Sequence, residues 1–266
     1  MVYWFAGQRY DQDELSLAPS HPALAYGASV FTTLRVYHQS LEHPLTAWDY
    51  HCDRIASSLA AFGWPAPGWS QIVDGCHNLM QTYPVLRLAV FADGQELITG
   101  RYLPQELQQQ QRSGVTVWVA ADPKYRRSLP AHKTGCYLPC WLALQAAQSR
   151  GARDAILVSA ADEWLETSTG NLWGYHQGRW WTPPLTSGLL PGISRRRLLE
   201  TGDIVSDVPW DADLVDRFDC LAYSNCVVEI LPIHTVQLEN LKLNYNSTHV
   251  ALSALRQKFF EAVRGG

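Results

Sequence analysis

Pro130-Ala131-His132-Lys133-Thr134-Gly135-Cys136-Tyr137-Leu138-Pro139-Cys140-Trp141-Leu142 is the stretch on which the reading of this chain turns. The chain has 21 basic residues, but its lysines are only Lys124, Lys133, Lys242 and Lys258. The other three have charged or polar residues nearby. Lys133 sits among small and apolar ones, at the apparent start of a helix over about 137–150. A desolvated ammonium loses its proton more readily, and the neutral amine can form a Schiff base or act as a base. The competing reading is a lysine whose stem lies on apolar surface. The rest of the chain separates the two.

Before this window, residues 2–10 read as a short strand and turn, and 30–37 as a β-branched, aromatic strand. Segments 45–62 and 72–83 carry helical apolar patterns, the first ending at Gly63, and 85–91 is a strand closed by Asp93-Gly94. Gln105-Glu106-Leu107-Gln108-Gln109-Gln110-Gln111-Arg112-Ser113-Gly114 is polar and is the best linker candidate. After it come strands at 115–119, 155–159, 172–175, 179–182, 220–224 and 236–238. A short helix over 194–200 is opened by Pro191-Gly192, and an amphipathic helix over 248–263 closes the chain. The pattern predicts two mixed α/β domains: 1–105, a linker at 106–113, and 114–266.

At 47% hydrophobic and 17% charged residues, the composition is that of a globular protein. A net charge of −4 gives no electrostatic case for nucleic acid or an anionic membrane as partner. No signal peptide or membrane span is expected, and the six scattered cysteines suit reduced thiols in the cytoplasm. Cys136 and Cys140 lack a second Cys/His pair, so no metal is expected.

Four segments, in order, resemble the fold-type IV pyridoxal-phosphate enzymes, the class IV aminotransferases. They are Tyr26-Gly27-Ala28-Ser29-Val30-Phe31-Thr32-Thr33-Leu34-Arg35, His51-Cys52-Asp53-Arg54-Ile55, Lys133 to Leu138, and Glu166-Thr167-Ser168-Thr169-Gly170-Asn171-Leu172-Trp173. The last continues into Thr182-Pro183-Pro184-Leu185 and Leu190-Pro191-Gly192-Ile193-Ser194-Arg195. Ser224-Asn225-Cys226, ahead of Glu229-Ile230-Leu231-Pro232-Ile233, completes the set. The resemblance implies an α/β (mixed α+β) two-domain fold like D-amino acid aminotransferase, with pyridoxal 5′-phosphate in the interdomain cleft. It also implies a homodimer acting on a small amine or amino-acid-like substrate.

Under that resemblance Lys133 holds the cofactor covalently and moves protons at the substrate carbon, and Glu166 keeps the pyridine nitrogen protonated. Leu190 packs on the ring face. Ile193 and Ser194 open the helix where the phosphate docks, because helix starts expose unpaired N–H groups; the alternative for Ser194 is simple capping. Arg54 gives the phosphate a charge-assisted bond, the alternative being an exposed helical arginine. Thr169, Asn171, Asn225 and Cys226 complete the cofactor set. In the run Arg195-Arg196-Arg197, at least two side chains are expected to be solvated. Departures from the family pattern are Cys136 for a frequent asparagine, Ala28 for a frequent aspartate, and Phe91-Ala92-Asp93-Gly94 for a more basic turn.

Within the family the chain looks most like aminodeoxychorismate lyase. Phe31-Thr32-Thr33-Leu34-Arg35 stands where branched-chain enzymes carry Phe-Glu-Gly-Ile-Arg, and Tyr137 follows Lys133 by four residues rather than five. The implied reaction converts 4-amino-4-deoxychorismate to 4-aminobenzoate and pyruvate, a step of folate precursor synthesis, with Thr33 assisting at the substrate. For Thr33 the alternative is strand propensity. The other activities the resemblance allows are branched-chain and D-amino acid transamination.

Overall fold

The computed structural model describes residues 2–261. The chain divides into two compact units, 1–104 with 132–136, and 105–131 with 137–266.

In the first unit, β1 (Val2–Phe5), β2 (Gln8–Asp11), β3 (Ser29–Arg35), β4 (Val85–Phe91) and β5 (Glu96–Arg101) form an antiparallel sheet in the order β2-β1-β5-β4-β3. The short strand and turn expected over 2–10 are a hairpin turning at Gly7, and β5 is a strand that the sequence pattern did not assign. Helix α1 (Pro22–Tyr26) precedes β3. Helices α2 (Trp48–Phe62) and α3 (Trp69–Met80) put Ile55, Leu59, Ile72, Cys76 and Leu79 against Val30, Leu34, Leu86, Leu88 and Ile98. Each fully buried aliphatic side chain of such a core contributes roughly 1.5–3 kcal/mol. Gly63 ends α2 in the left-handed region at φ 66°, as expected.

The 106–113 linker is instead helix α4 (Leu107–Ser113), grouped with the second unit. Glutamine is a good helix former, and Leu107, 4% exposed, anchors the helix. His132–Cys136 is the other correction to the boundaries. Lys133 groups with the first unit, and the helix after it, α5 (Leu138–Gln148), begins five residues later. Ala143 and Ala147 let α5 lie close on β6 (Val115–Ala120) and β7 (Asp154–Val158).

The remaining strands are β8 (Trp164–Thr167), β9 (Asn171–His176), β10 (Arg179–Trp181), β11 (Ile204–Val205), β12 (Cys220–Asn225), β13 (Glu229–Gln237) and β14 (Lys242–Asn244). The sheet runs β11-β10-β9-β12-β13-β6-β7-β8, with β14 beside β13. One bridge, Glu166 opposite Asn171, returns β8 to β9 and closes six strands on themselves. The 236–238 strand proves to be the tail of β13. Helix α6 (Ile193–Leu199) and the short α7 (Ala212–Val215) intervene between strands. The closing helix α8 spans Val250–Glu261, and its expected continuation to Val263 lies outside the described residues. Among the described residues no helix is long and apolar enough to cross a membrane, and no group of three or more His, Cys, Asp or Glu is placed to hold a metal.

Candidate active site

Strand β3 is an edge of its sheet, and the Lys133 segment adds to that edge. Val30 bridges Thr134 in antiparallel fashion, with Phe31 N donating to Lys133 O at 2.8 Å and Gly135 N to Ser29 O at 2.7 Å. Residues opposite one another share a face of the sheet. Lys133 therefore shares the face of Phe31, and its Nζ lies 4.8 Å from the Phe31 ring centroid. His132 takes the other face, with Nδ1 3.0 Å from Ser58 Oγ and its ring against Phe62.

Alternation along β3 places Thr33 and Arg35 on the Lys133 face. Arg87, directly opposite Thr33 on β4, joins them, its guanidinium 3.5 Å from the Phe31 centroid. The sequence reading missed Arg87. Its signal was a lone cation inside the apolar run Val85-Leu86-Arg87-Leu88-Ala89-Val90. Thr32 points the other way and is fully buried. Its hydroxyl pairs with His51 Nδ1 and accepts from Arg54 Nη2, so Arg54 is held by β3 rather than standing as an exposed helical arginine.

In the second unit, Glu166 is 5% exposed. Its Oε1 accepts from Arg127 Nη1 at 2.8 Å and from Leu190 N at 3.2 Å. Burial opposes the Arg127 charge, but the charge of Glu166 beside it and its other partners win, and the Arg127 pKa is raised. Tyr137 donates to Ser168 O at 2.6 Å, and burial pushes its phenol well above the usual range. Asn171 Nδ2 donates to Leu190 O at 3.0 Å, and a Cβ at Gly192 would overlap Asn171 Oδ1. Asn171 and Leu190 thus fix the loop ahead of α6.

Gly192, not Ser194, is the N-cap of α6, and no side chain caps this helix. The capping alternative for Ser194 falls; its Oγ lies 3.6 Å from Cys226 Sγ. Ile193 is buried beside it. Asn225 accepts from Val227 N and Val228 N at 2.9 Å each and donates to Thr169 O at 3.2 Å, so it shapes the turn carrying Cys226. An uncapped helix start, a nearby hydroxyl and a Gly192 with no room for a side chain suit a phosphate group. The expectation that two of the three arginines are solvated is overturned. Arg195 and Arg197 are 4% and 5% exposed, and only Arg196 faces solvent. Arg195 Nη2 donates to Pro183 O at 3.0 Å, and Arg197 lies over the Phe259 ring. Burial pulls the Arg195 pKa down to about 10, nearby Glu166 opposing, so it remains a cation at neutral pH.

Lys133, Thr33 and Arg54 thus belong to the first unit. Glu166, Thr169, Asn171, Leu190, Ile193, Ser194, Asn225 and Cys226 belong to the second.

An antiparallel α/β unit followed by a closed, mixed-strand unit is the architecture of the fold-type IV enzymes. A hypothetical aminotransferase of Mycobacterium tuberculosis, solved with α-ketoglutarate and PMP, superposes with a TM-score of 0.80 at 17% identity over 99% of each chain. A candidate 4-amino-4-deoxychorismate lyase of Legionella pneumophila superposes at 0.78, with 18% identity over 95% of this chain and 97% of its own. The branched-chain-amino-acid aminotransferase of Escherichia coli K12 is 23% identical over 291 residues, 98% of this chain and 93% of its own. Residues 29–236 match amino-transferase class IV, and the chain belongs to that family of pyridoxal-phosphate enzymes, which includes aminotransferases and lyases.

Proposed function

We propose that this enzyme is a 4-amino-4-deoxychorismate lyase releasing 4-aminobenzoate and pyruvate. Thr33 carries this reading. It replaces the glycine of the branched-chain pattern with a hydroxyl-bearing side chain, on the strand face shared by Lys133, Phe31 and Arg87. Lys133 Nζ takes the proton from the ring carbon bearing the amino group, and Thr33 Oγ1 supports proton movement at the departing enolpyruvyl side. Arg87 binds a substrate carboxylate. Arg54 and Ser194, with the N–H groups at the start of α6, hold the cofactor phosphate, and Glu166 holds the proton on the pyridine nitrogen. Bound pyridoxal phosphate supplies the electron sink for breaking the C–H bond. We further propose a cytoplasmic homodimer, to be checked by light scattering.

The identity to the E. coli enzyme over nearly the whole chain favours a second reading, branched-chain transamination. Coupling to an aminodeoxychorismate synthase separates the two. The lyase yields 4-aminobenzoate and pyruvate, and L-leucine or D-alanine without keto acid leaves its cofactor spectrum largely unchanged. Full, rapid bleaching by leucine with no 4-aminobenzoate would establish the aminotransferase.

A further inference from the structure

Asp154 opens β7 and is 1% exposed. Its carboxylate accepts hydrogen bonds from three successive side chains: Thr167 Oγ1 at 3.0 Å, Ser168 Oγ and Thr169 Oγ1. Ala155 N adds a fourth donor at 2.8 Å. Consecutive side chains on an extended strand point to opposite faces, so three in a row reach one carboxylate only where the chain wraps around it. The wrap is tight. Thr167 N donates to Gly170 O at 2.7 Å, Gly170 N donates to Thr167 Oγ1 at 2.9 Å, and a Cβ at Gly170 would overlap Ser224 O.

This loop leads directly to the phosphate end of the site. Thr169, held by Asp154 through its hydroxyl, offers its carbonyl oxygen to Asn225 Nδ2, and Asn225 Oδ1 gathers the amides of Val227 and Val228. The turn so fixed carries Cys226, whose Sγ faces Ser194 Oγ at the start of α6. The path from Asp154 to the uncapped helix is an unbroken series of short polar contacts within one unit.

We infer that Asp154 is the positioning residue of the phosphate site, aligning Thr169 and the Asn225 turn so that the site grips the cofactor phosphate. This rests on the pyridoxal-phosphate reading above. A buried carboxylate is costly unless its hydrogen bonds are made, and an asparagine of the same shape cannot accept all three hydroxyls, because its NH2 group only donates. Asp154→Asn therefore costs at least one of the three bonds that the loop hydroxyls donate to this side chain, and that hydroxyl must reorient.

The test titrates apo wild type, Asp154→Asn and Thr169→Val with pyridoxal 5′-phosphate and, separately, with pyridoxal lacking the phosphate, following bound-cofactor absorbance. Both variants should bind pyridoxal 5′-phosphate more weakly, about tenfold for Asp154→Asn as one strong hydrogen bond is lost, while pyridoxal affinity stays at the wild-type value. Should Asp154→Asn fail to fold, Thr169→Val, which removes one surface-side hydroxyl, carries the same comparison. Equal loss for both cofactor forms would show a purely structural role, and wild-type affinity for both would show no role; either overturns the inference. If wild type takes up neither form, the cofactor reading falls and the inference with it, an outcome separate from the other two.

Discussion

Lys133 lies directly across an antiparallel pairing from Phe31, its Nζ 4.8 Å from the ring centroid, while the Arg87 guanidinium lies 3.5 Å from the same centroid. One aromatic ring thus organises both the amine proposed to do the chemistry and the cation proposed to meet a substrate carboxylate. A ring face stabilises nearby cations by about 0.5–2 kcal/mol and holds both stems in defined positions. The apolar setting noted in the sequence is the edge of β3.

Arg87→Gln should raise the KM for a carboxylate substrate about tenfold or more, the usual cost of losing a hydrogen bond to a charge. Cofactor occupancy should be unchanged, because Arg87 is not among the residues assigned to the cofactor. Steady-state kinetics with absorbance of the bound cofactor checks both; a fall in kcat with unchanged KM would place the arginine elsewhere in the reaction.

Glu166→Gln should keep the cofactor and lose about a hundredfold or more in kcat, the scale of losing a preorganised electrostatic partner. The amide cannot hold the ring nitrogen protonated, and Arg127, 2.8 Å from the native carboxylate, loses its counter-charge. Near-normal turnover in this variant would assign the glutamate a different role.

How much of this was legible in the sequence depended on range. Lys133, Glu166 and the Gly192-Ile193-Ser194 turn were open to proposal from the sequence because each is a local pattern with its own chemistry. The pairing of Lys133 with β3 was not, since it joins Val30 to Thr134 across three α-helices and three strands. That long-range contact is why the lysine was placed in the second domain. Gln108 to Gln111 read as linker because polarity was weighed above helix propensity, and Leu107 decided the matter by burying itself. Asp154 went unnoticed as an acid at the head of the apolar run Ala155-Ile156-Leu157-Val158. Its partners Thr167, Ser168 and Thr169 looked like ordinary loop hydroxyls until the fold brought them to one carboxylate.

Asp154 also gives a pH dependence with a definite sign. Burial raises its pKa, with bonds from Ser168, Thr169, Ala155 and Thr167 opposing. A raised value in the folded state means folding favours the protonated acid. The stability this supplies is complete below the unfolded aspartate value of about 3.9 and is lost as pH rises through the folded value. The stability of apo wild type relative to Asp154→Asn should therefore be lower at neutral pH than at about pH 4, near the unfolded aspartate value. Urea midpoints of the two proteins at both pH values measure it, and a relative stability that rises with pH would reverse the sign.

The most direct test of the account is where the cofactor attaches. The protein is loaded with pyridoxal 5′-phosphate, reduced with borohydride, digested and mapped by mass spectrometry. The account predicts one pyridoxyl label, on Lys133, and none on Lys124, Lys242 or Lys258. A label on any of those three, or no label at all, would contradict it.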